Sequence, residues 1–248
     1  MRILLVNDDG INEKGLQVLV DVFEEHHEVW VIAPDKNRSG VSHGITMHSP
    51  HHLHQIAKKK FSYTGLPVDC TVAGCNGALG FTPDIVLSGI NKGANIGTDI
   101  VYSGTAAAAR QASLYNIPGI AVSLESKSNR WNYKPLAEFV LDNLQLLISL
   151  CEKNMFLNIN AIDLDVDQNY KGVKYTIPSE REYGDKLVLY TAPNEDTYTF
   201  FKGGNVKTKP GKTTDFSAVE DGYISISRVL AQPVANNVDT VPVFTLRG

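Results

Sequence analysis

Residues 1–10 read MRILLVNDDG, and this stretch decides the fold class. The apolar run Ile3-Leu4-Leu5-Val6 is short, continuous and followed at once by polar residues. Such a run is typical of a β-strand that is covered on both faces, as strands of parallel sheets are. The acidic pair Asp8-Asp9 then stands at the carboxyl end of this predicted strand.

Downstream of this strand, helical and strand-like patterns alternate. Apolar residues recur at helical spacing over 12–25, and Val29-Trp30-Val31-Ile32 is a second strand-like run. Further helices are expected at 67–78, 104–114 and 133–151, and further strands at 84–87, 119–123 and 156–160. Alternation of this kind predicts an α/β fold with a mostly parallel sheet and helices on both faces.

The pattern changes after about residue 170, where helical periodicity largely disappears. Short strand-like runs follow at 186–190, 198–202 and 223–226. We expect one domain over 1–170 and a β-rich carboxy-terminal extension over 171–248. The sequence leaves open whether this extension is an antiparallel addition to the domain or an arm exchanged with another subunit.

The composition excludes several classes of protein. The chain of 248 residues is 43% hydrophobic and carries a net charge of -4, which argues against a binder of nucleic-acid polymers. No apolar run approaches the ~20 residues that span a membrane, and no signal-peptide pattern opens the chain. Cys70, Cys75 and Cys151 form no CxxC pair, so a reducing compartment, the cytoplasm, is expected.

Polar residues follow several strands at the points where the strands end. Ligands of open parallel sheets bind outside the carboxyl ends of the strands. Adjacent buried carboxylates repel each other, and a divalent cation at Asp8 and Asp9 would relieve that repulsion. The Ser39 hydroxyl and the Asn91 amide oxygen are ligands that suit Mg²⁺ or Mn²⁺ better than zinc. The alternative is a polar turn that caps the following helix.

A second candidate site lies where the predicted helix 104–114 begins. Ser103 is expected to cap this helix, and Gly104 and Thr105 open its first turn. Unpaired amides and the helix dipole attract anions, so this start could hold a phosphate. The alternative is an ordinary helix cap. The glycines nearby match neither the dinucleotide fingerprint nor the GxxxxGK[ST] loop.

The histidines offer little chemistry by spacing alone. Those at 48–54 have no cysteine or glutamate companion, and a solvated surface is the preferred interpretation. His43, close to the Ser39-Gly40 loop, is kept as a catalytic candidate. Ser39 and Ser103 lack the GxSxG context of a serine nucleophile, so a serine hydrolase is not expected.

Five ordered blocks of this chain resemble the SurE family of stationary-phase survival proteins, which have 5'-nucleotidase activity. The blocks are MRILLVNDDG, APDKNRSGVS, PVDC, PDIVLSGINKGANIGTDIVYSGTAAAAR and IPGIAVSL. They cover residues 1 to about 124, and weaker echoes follow in FLNIN at 156–160, TDF at 214–216 and GYISIS at 222–227. Five blocks in one order are far more specific than any single motif.

The resemblance implies a Rossmann-like domain, one divalent metal ion, Mg²⁺ or Mn²⁺, and hydrolysis of nucleoside monophosphates. 3'-Nucleotides and short polyphosphates are further candidate substrates, and a homodimer or homotetramer is expected. By motif, the resemblance implies the catalytic residues Asp8 and Asp9, the metal ligands Asp8, Asp9, Ser39 and Asn91, and the phosphate-binding residues Gly40, Asn95, Ser103, Gly104 and Thr105.

Two departures from the family pattern concern the helix after this motif. YSGTV is YSGTA here, and the acidic residue that usually follows is Gln111.

A catalytically idle nucleotide-binding sensor is the alternative function. A receiver-like signalling domain would need an aspartate after a middle strand, where this chain has Ser88-Gly89-Ile90-Asn91.

Overall fold

The structure, a computed structural model, describes residues 1–165 and 168–235. Its strands are β1 Arg2–Val6, β2 Glu28–Pro34, β3 Leu53–Ala57, β4 Lys60–Tyr63, β5 Ile85–Lys92, β6 Gly119–Glu125, β7 Met155–Ile162, β8 Val173–Thr176, β9 Arg181–Tyr183, β10 Lys186–Thr191, β11 Thr197–Lys202, β12 Val206–Thr208 and β13 Ile224–Leu230. Its helices are α1 Lys14–Phe23, α2 Pro67–Cys75, α3 Asp99–Tyr102, α4 Gly104–Leu114, α5 Lys134–Asp142, α6 Leu144–Leu150 and α7 Asp215–Glu220.

Of the strands in residues 1–165 and 168–235, nine form one sheet in the order β3-β4-β2-β1-β5-β6-β7-β13-β8. Strand β1 lies inside the sheet and pairs in parallel with β2 and β5, and β6 and β7 continue the parallel run. Strands β3 and β13 pair antiparallel with β4 and β7. The predicted α/β fold with a mostly parallel sheet is confirmed.

The two faces of the sheet bury separate parts of the core. Ile3 and Leu5 point into a cluster that includes residues of α1 and α5, and Leu4 and Val6 point into one with residues of α2 and α4. Successive side chains of a strand point to opposite faces, so a strand covered on both sides is apolar throughout. This is why the run from Ile3 to Val6 is apolar throughout and the next polar residue is Asn7.

The long helix expected at 133–151 is two helices, α5 and α6. Asn143 lies between them, and its side-chain amide donates to the Phe139 carbonyl at 2.9 Å. An asparagine that bonds the backbone in this way competes with continuous helix, which accounts for the break. The hairpin of β3 and β4 was not predicted, and Lys58 and Lys59 form its turn.

The β-rich extension is present, and part of it completes the main sheet. Strand β13 lies between β7 and β8 in the sheet, and β8 is the edge strand on that side, whereas β9 pairs with β12 and β10 with β11 outside the sheet. The division at residue 170 stays a prediction, and residues 236–248 of the expected extension lie outside the described residues. Among the described residues, no helix has the length and apolar character needed to cross a membrane.

Candidate metal and phosphate site

The turn after β1 is closed by Asn7 and leaves both aspartates available. The Asn7 side chain donates to the Gly10 carbonyl at 2.8 Å and accepts the Gly10 N–H at 3.2 Å. Helix α1 begins with Glu13 as its N-cap residue, without a side-chain capping bond. Neither Asp8 nor Asp9 therefore caps the following helix, and the alternative interpretation of the pair as a capping turn does not hold.

Asp8 is buried against the first turn of α4. The Thr105 hydroxyl donates to Asp8 Oδ1, and a Cβ placed on Gly104 would lie 3.0 Å from Asp8 Oδ2. Burial raises the pKa of Asp8 above its ordinary value, although hydrogen bonds from Thr105 and from the Gly104 amide oppose the change. The Asp8 carboxylate is thus held by hydrogen-bond donors that carry no full charge.

Asp9 is half-buried beside its neighbour and faces the end of β5. Its Oδ2 accepts the Lys92 backbone N–H at 3.2 Å. Burial, and next the charge of Asp8, raise the pKa of Asp9 to about 6. Two carboxylates that raise each other's cost of ionisation are an arrangement that a divalent cation would relieve.

The loop after β2 lies across this acidic pair. The Arg38 N–H donates to the Asp8 carbonyl at 2.7 Å, which brings Ser39 and Gly40 to the edge of the site. Farther along, the Ser42 N–H donates to the Tyr102 carbonyl at 2.9 Å, so the same loop is fastened to the segment before α4. Ser39 is exposed, and its hydroxyl is accessible to a ligand.

Asn91 reaches the site from a bulge in β5. The register between β5 and β6 shifts between Ser88 and Asn91, and a Cβ on Gly89, whose φ is +142°, would lie 2.3 Å from the Val122 carbonyl oxygen. Only glycine fits there. The Asn91 side-chain nitrogen donates to the Gly93 carbonyl at 2.8 Å, so the amide oxygen is the atom left to face a ligand.

These donors suit a hard divalent cation. Two carboxylates, a hydroxyl and an amide oxygen are the ligand types that Mg²⁺ and Mn²⁺ take, whereas zinc prefers histidine and cysteine. Among residues 1–165 and 168–235, no group of three or more His, Cys, Asp and Glu side chains could hold a metal. An ion at this edge would therefore depend on the two aspartates with neutral oxygens beside them.

The start of α4 differs from the expected open phosphate cradle. Ser103 is confirmed as the cap, since its Oγ accepts the Ala106 N–H at 3.0 Å. The Thr105 hydroxyl donates to Asp8 Oδ1, and the Gly104 and Thr105 amides oppose the rise of the Asp8 pKa that burial causes. The positive end of this helix therefore stabilises a protein carboxylate, and phosphate contacts by Ser103, Gly104 and Thr105 stay a prediction.

Asn95 lies in a buried network beside the site. Its backbone N–H donates to Asn160 Oδ1 at 2.8 Å, and its side-chain nitrogen donates to Ser123 Oγ at 2.8 Å. Its carbonyl accepts the side-chain amides of Asn158 and Asn160. These bonds hold the loop after β5 on the sheet, and a direct phosphate contact by Asn95 or Gly40 stays a prediction.

The sequence analysis missed the residue that ties this loop to the extension. Asp215, fully buried, accepts the backbone N–H groups of Gly97 at 2.7 Å, Ser179 at 2.9 Å and Phe216 at 2.8 Å. A second link joins Asp99 of α3 to the Arg181 and Tyr183 side chains of β9. The signal for Asp215 was the TDF motif at 214–216, which pattern alone did not connect to the site.

His43 is not brought to the acidic pair. Its Nε2 lies 2.9 Å from Gln111 Oε1, and Gln111 lies eight residues along α4 from Ser103, roughly 12 Å at helical rise. Burial lowers the pKa of His43, so the neutral ring is favoured. The residue that departs from the family pattern, Gln111, thus serves as the partner of His43.

Comparison with known proteins agrees with this architecture. The family described as "Survival protein SurE" matches residues 3–185. A relative from Geobacter metallireducens, named 5'-nucleotidase SurE, is 36% identical over 92% of this chain and 90% of its own. A relative from Shigella dysenteriae, named 5'/3'-nucleotidase SurE, is 37% identical over 97% and 94% of the two chains.

A solved structure shares the fold over nearly its whole length. The crystal structure of the SurE protein from Aquifex aeolicus superposes with a TM-score of 0.81, at 31% identity, over 94% of this chain and 95% of that one. The match includes the β-rich extension as well as the sheet. This chain is a member of the SurE family.

Proposed function

We propose that this protein is a divalent-metal-dependent 5'-nucleotidase, which hydrolyses nucleoside monophosphates to nucleoside and inorganic phosphate. It is a phosphoric monoester hydrolase, in keeping with the names of its relatives. The observation that carries the proposal is the acidic pair Asp8-Asp9. It lies at the carboxyl ends of the parallel strands, on the same side of the sheet as Ser39, Asn91 and the start of α4. Short polyphosphates and 3'-nucleotides are the additional substrates to examine.

Asp8, Asp9, Ser39 and Asn91 are the residues that would hold one Mg²⁺ or Mn²⁺ ion. When bound there, such an ion supplies charge that stabilises the phosphoryl oxygens and lowers the pKa of a water molecule. Asp8 is fixed by Thr105 and buried, so its part is to hold and orient. Asp9 is more open to solvent, and for this reason we assign to it the role of orienting the attacking water.

Remaining phosphate oxygens would lie against the start of α4. Ser103 keeps this helix start in shape through its capping bond, and the Gly104 and Thr105 amides lie beside Asp8. Preorganised N–H groups of this kind stabilise charge that develops on phosphoryl oxygens. We infer that direct attack by water is the reaction, and inversion of configuration at a chirally labelled phosphorus is the expected outcome; retention would point to an aspartyl-phosphate instead.

Phosphate release from AMP and GMP tests the proposal, with Mg²⁺ and Mn²⁺ assayed separately and a chelator added in a parallel series. Asp8→Asn is expected to lower kcat/KM by at least a hundredfold because it removes a ligand charge. Asp21→Asn, an exposed aspartate on α1, is the matched control. Nucleotide binding without metal-dependent phosphate release would instead identify a sensor.

The partner proposed for the extension is a second copy of the chain. Strands β10 and β11 pair only with each other among the described strands, and both carry exposed apolar side chains. We infer a homodimer or homotetramer in which this hairpin is covered.

A further inference from the structure

Lys92 places a positive charge beside the acidic pair. It follows the proposed ligand Asn91 at the end of β5, and its backbone N–H donates to Asp9 Oδ2 at 3.2 Å. This bond fixes the backbone of Lys92 against the Asp9 carboxylate, so the Lys92 side chain starts at the rim of the site. The side chain is exposed, so its charge is open to an incoming ligand.

An aromatic side chain holds this ammonium in place. Lys92 Nζ lies 5.3 Å from the ring centroid of Trp131, a cation–π contact. The indole also stacks on the ring of Tyr133 at a centroid distance of 6.3 Å, and its N–H donates to Asn129 Oδ1 at 3.1 Å. The Lys92 side chain therefore lies with its ammonium group over the face of an aromatic ring.

Trp131 is itself fixed by contacts that do not involve Lys92. Its φ is 58°, a left-handed conformation that is uncommon for a bulky residue. Asp163 accepts its N–H at 2.9 Å and the N–H of Asn132 at 2.9 Å. A carboxylate with two backbone donors maintains this unusual backbone, so the indole is in position before any ligand arrives.

The charge balance of the site shows what this ammonium could do. When both are ionised, Asp8 and Asp9 together carry two negative charges. One divalent ion neutralises these charges and leaves no surplus of positive charge for the substrate. A phosphomonoester then brings close to two more negative charges. The helix start that attracts anions is already partly engaged by Asp8, through Gly104 and Thr105.

We propose that Lys92 binds the phosphate group of the substrate and that Trp131 is a positioning residue that holds the Lys92 ammonium at the rim of the site. This inference rests on the proposed nucleotidase function. Lys92 acts on substrate affinity, and the two aspartates act on the reaction itself.

The first test is the Lys92→Met variant. Its control is Lys153→Met, which makes the same change at an exposed residue just before β7, at the amino-terminal end of the parallel strands. Loss of a charge-assisted hydrogen bond predicts that KM for AMP and the inhibition constant of inorganic phosphate both rise about tenfold, with kcat changing less. Lys92→Arg keeps the charge and should recover most of the affinity. Equal KM values in the Lys92→Met and Lys153→Met variants would overturn the proposal.

The positioning role of Trp131 has a separate test. Trp131→Phe keeps an aromatic face under the ammonium, whereas Trp131→Leu removes it. We expect Trp131→Leu to raise KM severalfold without a matching loss of kcat, and Trp131→Phe to stay close to wild type. A loss of kcat with unchanged KM in Trp131→Leu would contradict the role.

A binding measurement distinguishes failure of this inference from failure of the proposed function. In a Trp30→Phe background, Trp131 is the remaining tryptophan, and its fluorescence can be titrated with inorganic phosphate in the presence of Mg²⁺. The expected result is a saturable change that weakens about tenfold in the Lys92→Met variant. A protein that gives this change without hydrolysing AMP would refute the nucleotidase and keep the anion site, whereas hydrolysis with a Lys92-independent titration would do the reverse.

Discussion

At the scale of single residues, the acidic pair is the centre of the site. Sequence spacing placed Asp8 and Asp9 at a strand end, but it left a polar turn that caps the following helix as the alternative. The structure assigns the turn to Asn7 and leaves α1 with Glu13 as its N-cap residue. The two carboxylates therefore have no capping role in α1, and their role as metal ligands is the one put forward in the proposed function.

Gly104 makes the first prediction, because it is the point where α4 touches Asp8. A Cβ there would lie 2.8 Å from Asp8 Cβ and 3.0 Å from Asp8 Oδ2. Gly104→Ala should move the carboxylate, lower phosphate-release activity at least tenfold and lower the free energy of unfolding by about 1–3 kcal/mol. Gly203→Ala, where a Cβ meets nothing within 4 Å, is the control. Full activity in the Gly104→Ala variant would show that this contact does not set the site.

At the scale of elements, the loops that follow the strands carry the polar and aromatic side chains near the site. The sheet fixes where each of these loops begins. The loop at 126–132 follows β6 and contributes Trp131, and Asp163 after β7 organises it. Burial alone would raise the pKa of Asp163, but hydrogen bonds from the Asn132 and Trp131 backbones and the Ser126 and Ser128 hydroxyls lower it below its ordinary value of 3.8.

The sign of this pKa shift predicts an acid-sensitive loop. A carboxyl group with a lowered folded-state pKa contributes stability above pH 3.8, and this contribution is lost as the pH falls from there towards the folded-state value. Asp163→Asn should lower the free energy of unfolding by about 1 kcal/mol near neutral pH and flatten its decline in acid.

Urea unfolding across that pH range measures both effects, with the exposed Asp142→Asn as the matched control. Parallel pH curves for wild type and Asp163→Asn would contradict the assignment.

At the scale of the whole molecule, the extension both completes the sheet and projects from it. Asp215 and Arg181 join it to the loop and the helix before the site. The hairpin of β10 and β11 instead exposes large apolar side chains on both strands, with Phe201 81% exposed. A two-stranded hairpin is marginally stable alone in water, and exposed apolar patches mark contact surfaces.

The hairpin therefore carries the prediction about assembly. Tyr190 and Phe200 lie on one of its faces by strand register, since Val188 pairs with Phe200 and Tyr190 with Tyr198. Replacing both Tyr190 and Phe200 with lysine should lower the mass measured by light scattering to that of a smaller assembly, while Thr191→Lys at the hairpin end should not. A wild-type protein that is monomeric at micromolar concentration would contradict a dimer or tetramer.

The sequence alone was enough to predict a mostly parallel sheet, the strand-end location of the acidic pair and the family. It could do so because a strand buried on both faces must be apolar throughout, and because the parallel strand ends converge on one edge. Helix α4 was predicted with the bounds that the structure shows, since Ser103 marks its start and the alanine run follows.

Contacts between residues that are far apart in the chain became visible only in the tertiary structure. The engagement of the α4 amides with Asp8, the buried hub at Asp215 and the placement of Lys92 over Trp131 join residues that are 39 to 118 positions apart in the chain. The hydrophobic pattern of a segment reflects the periodicity of that segment alone. It contains no information about contacts with residues far along the chain. Their energies arise from burial and hydrogen bonding that exist only once the sheet has formed.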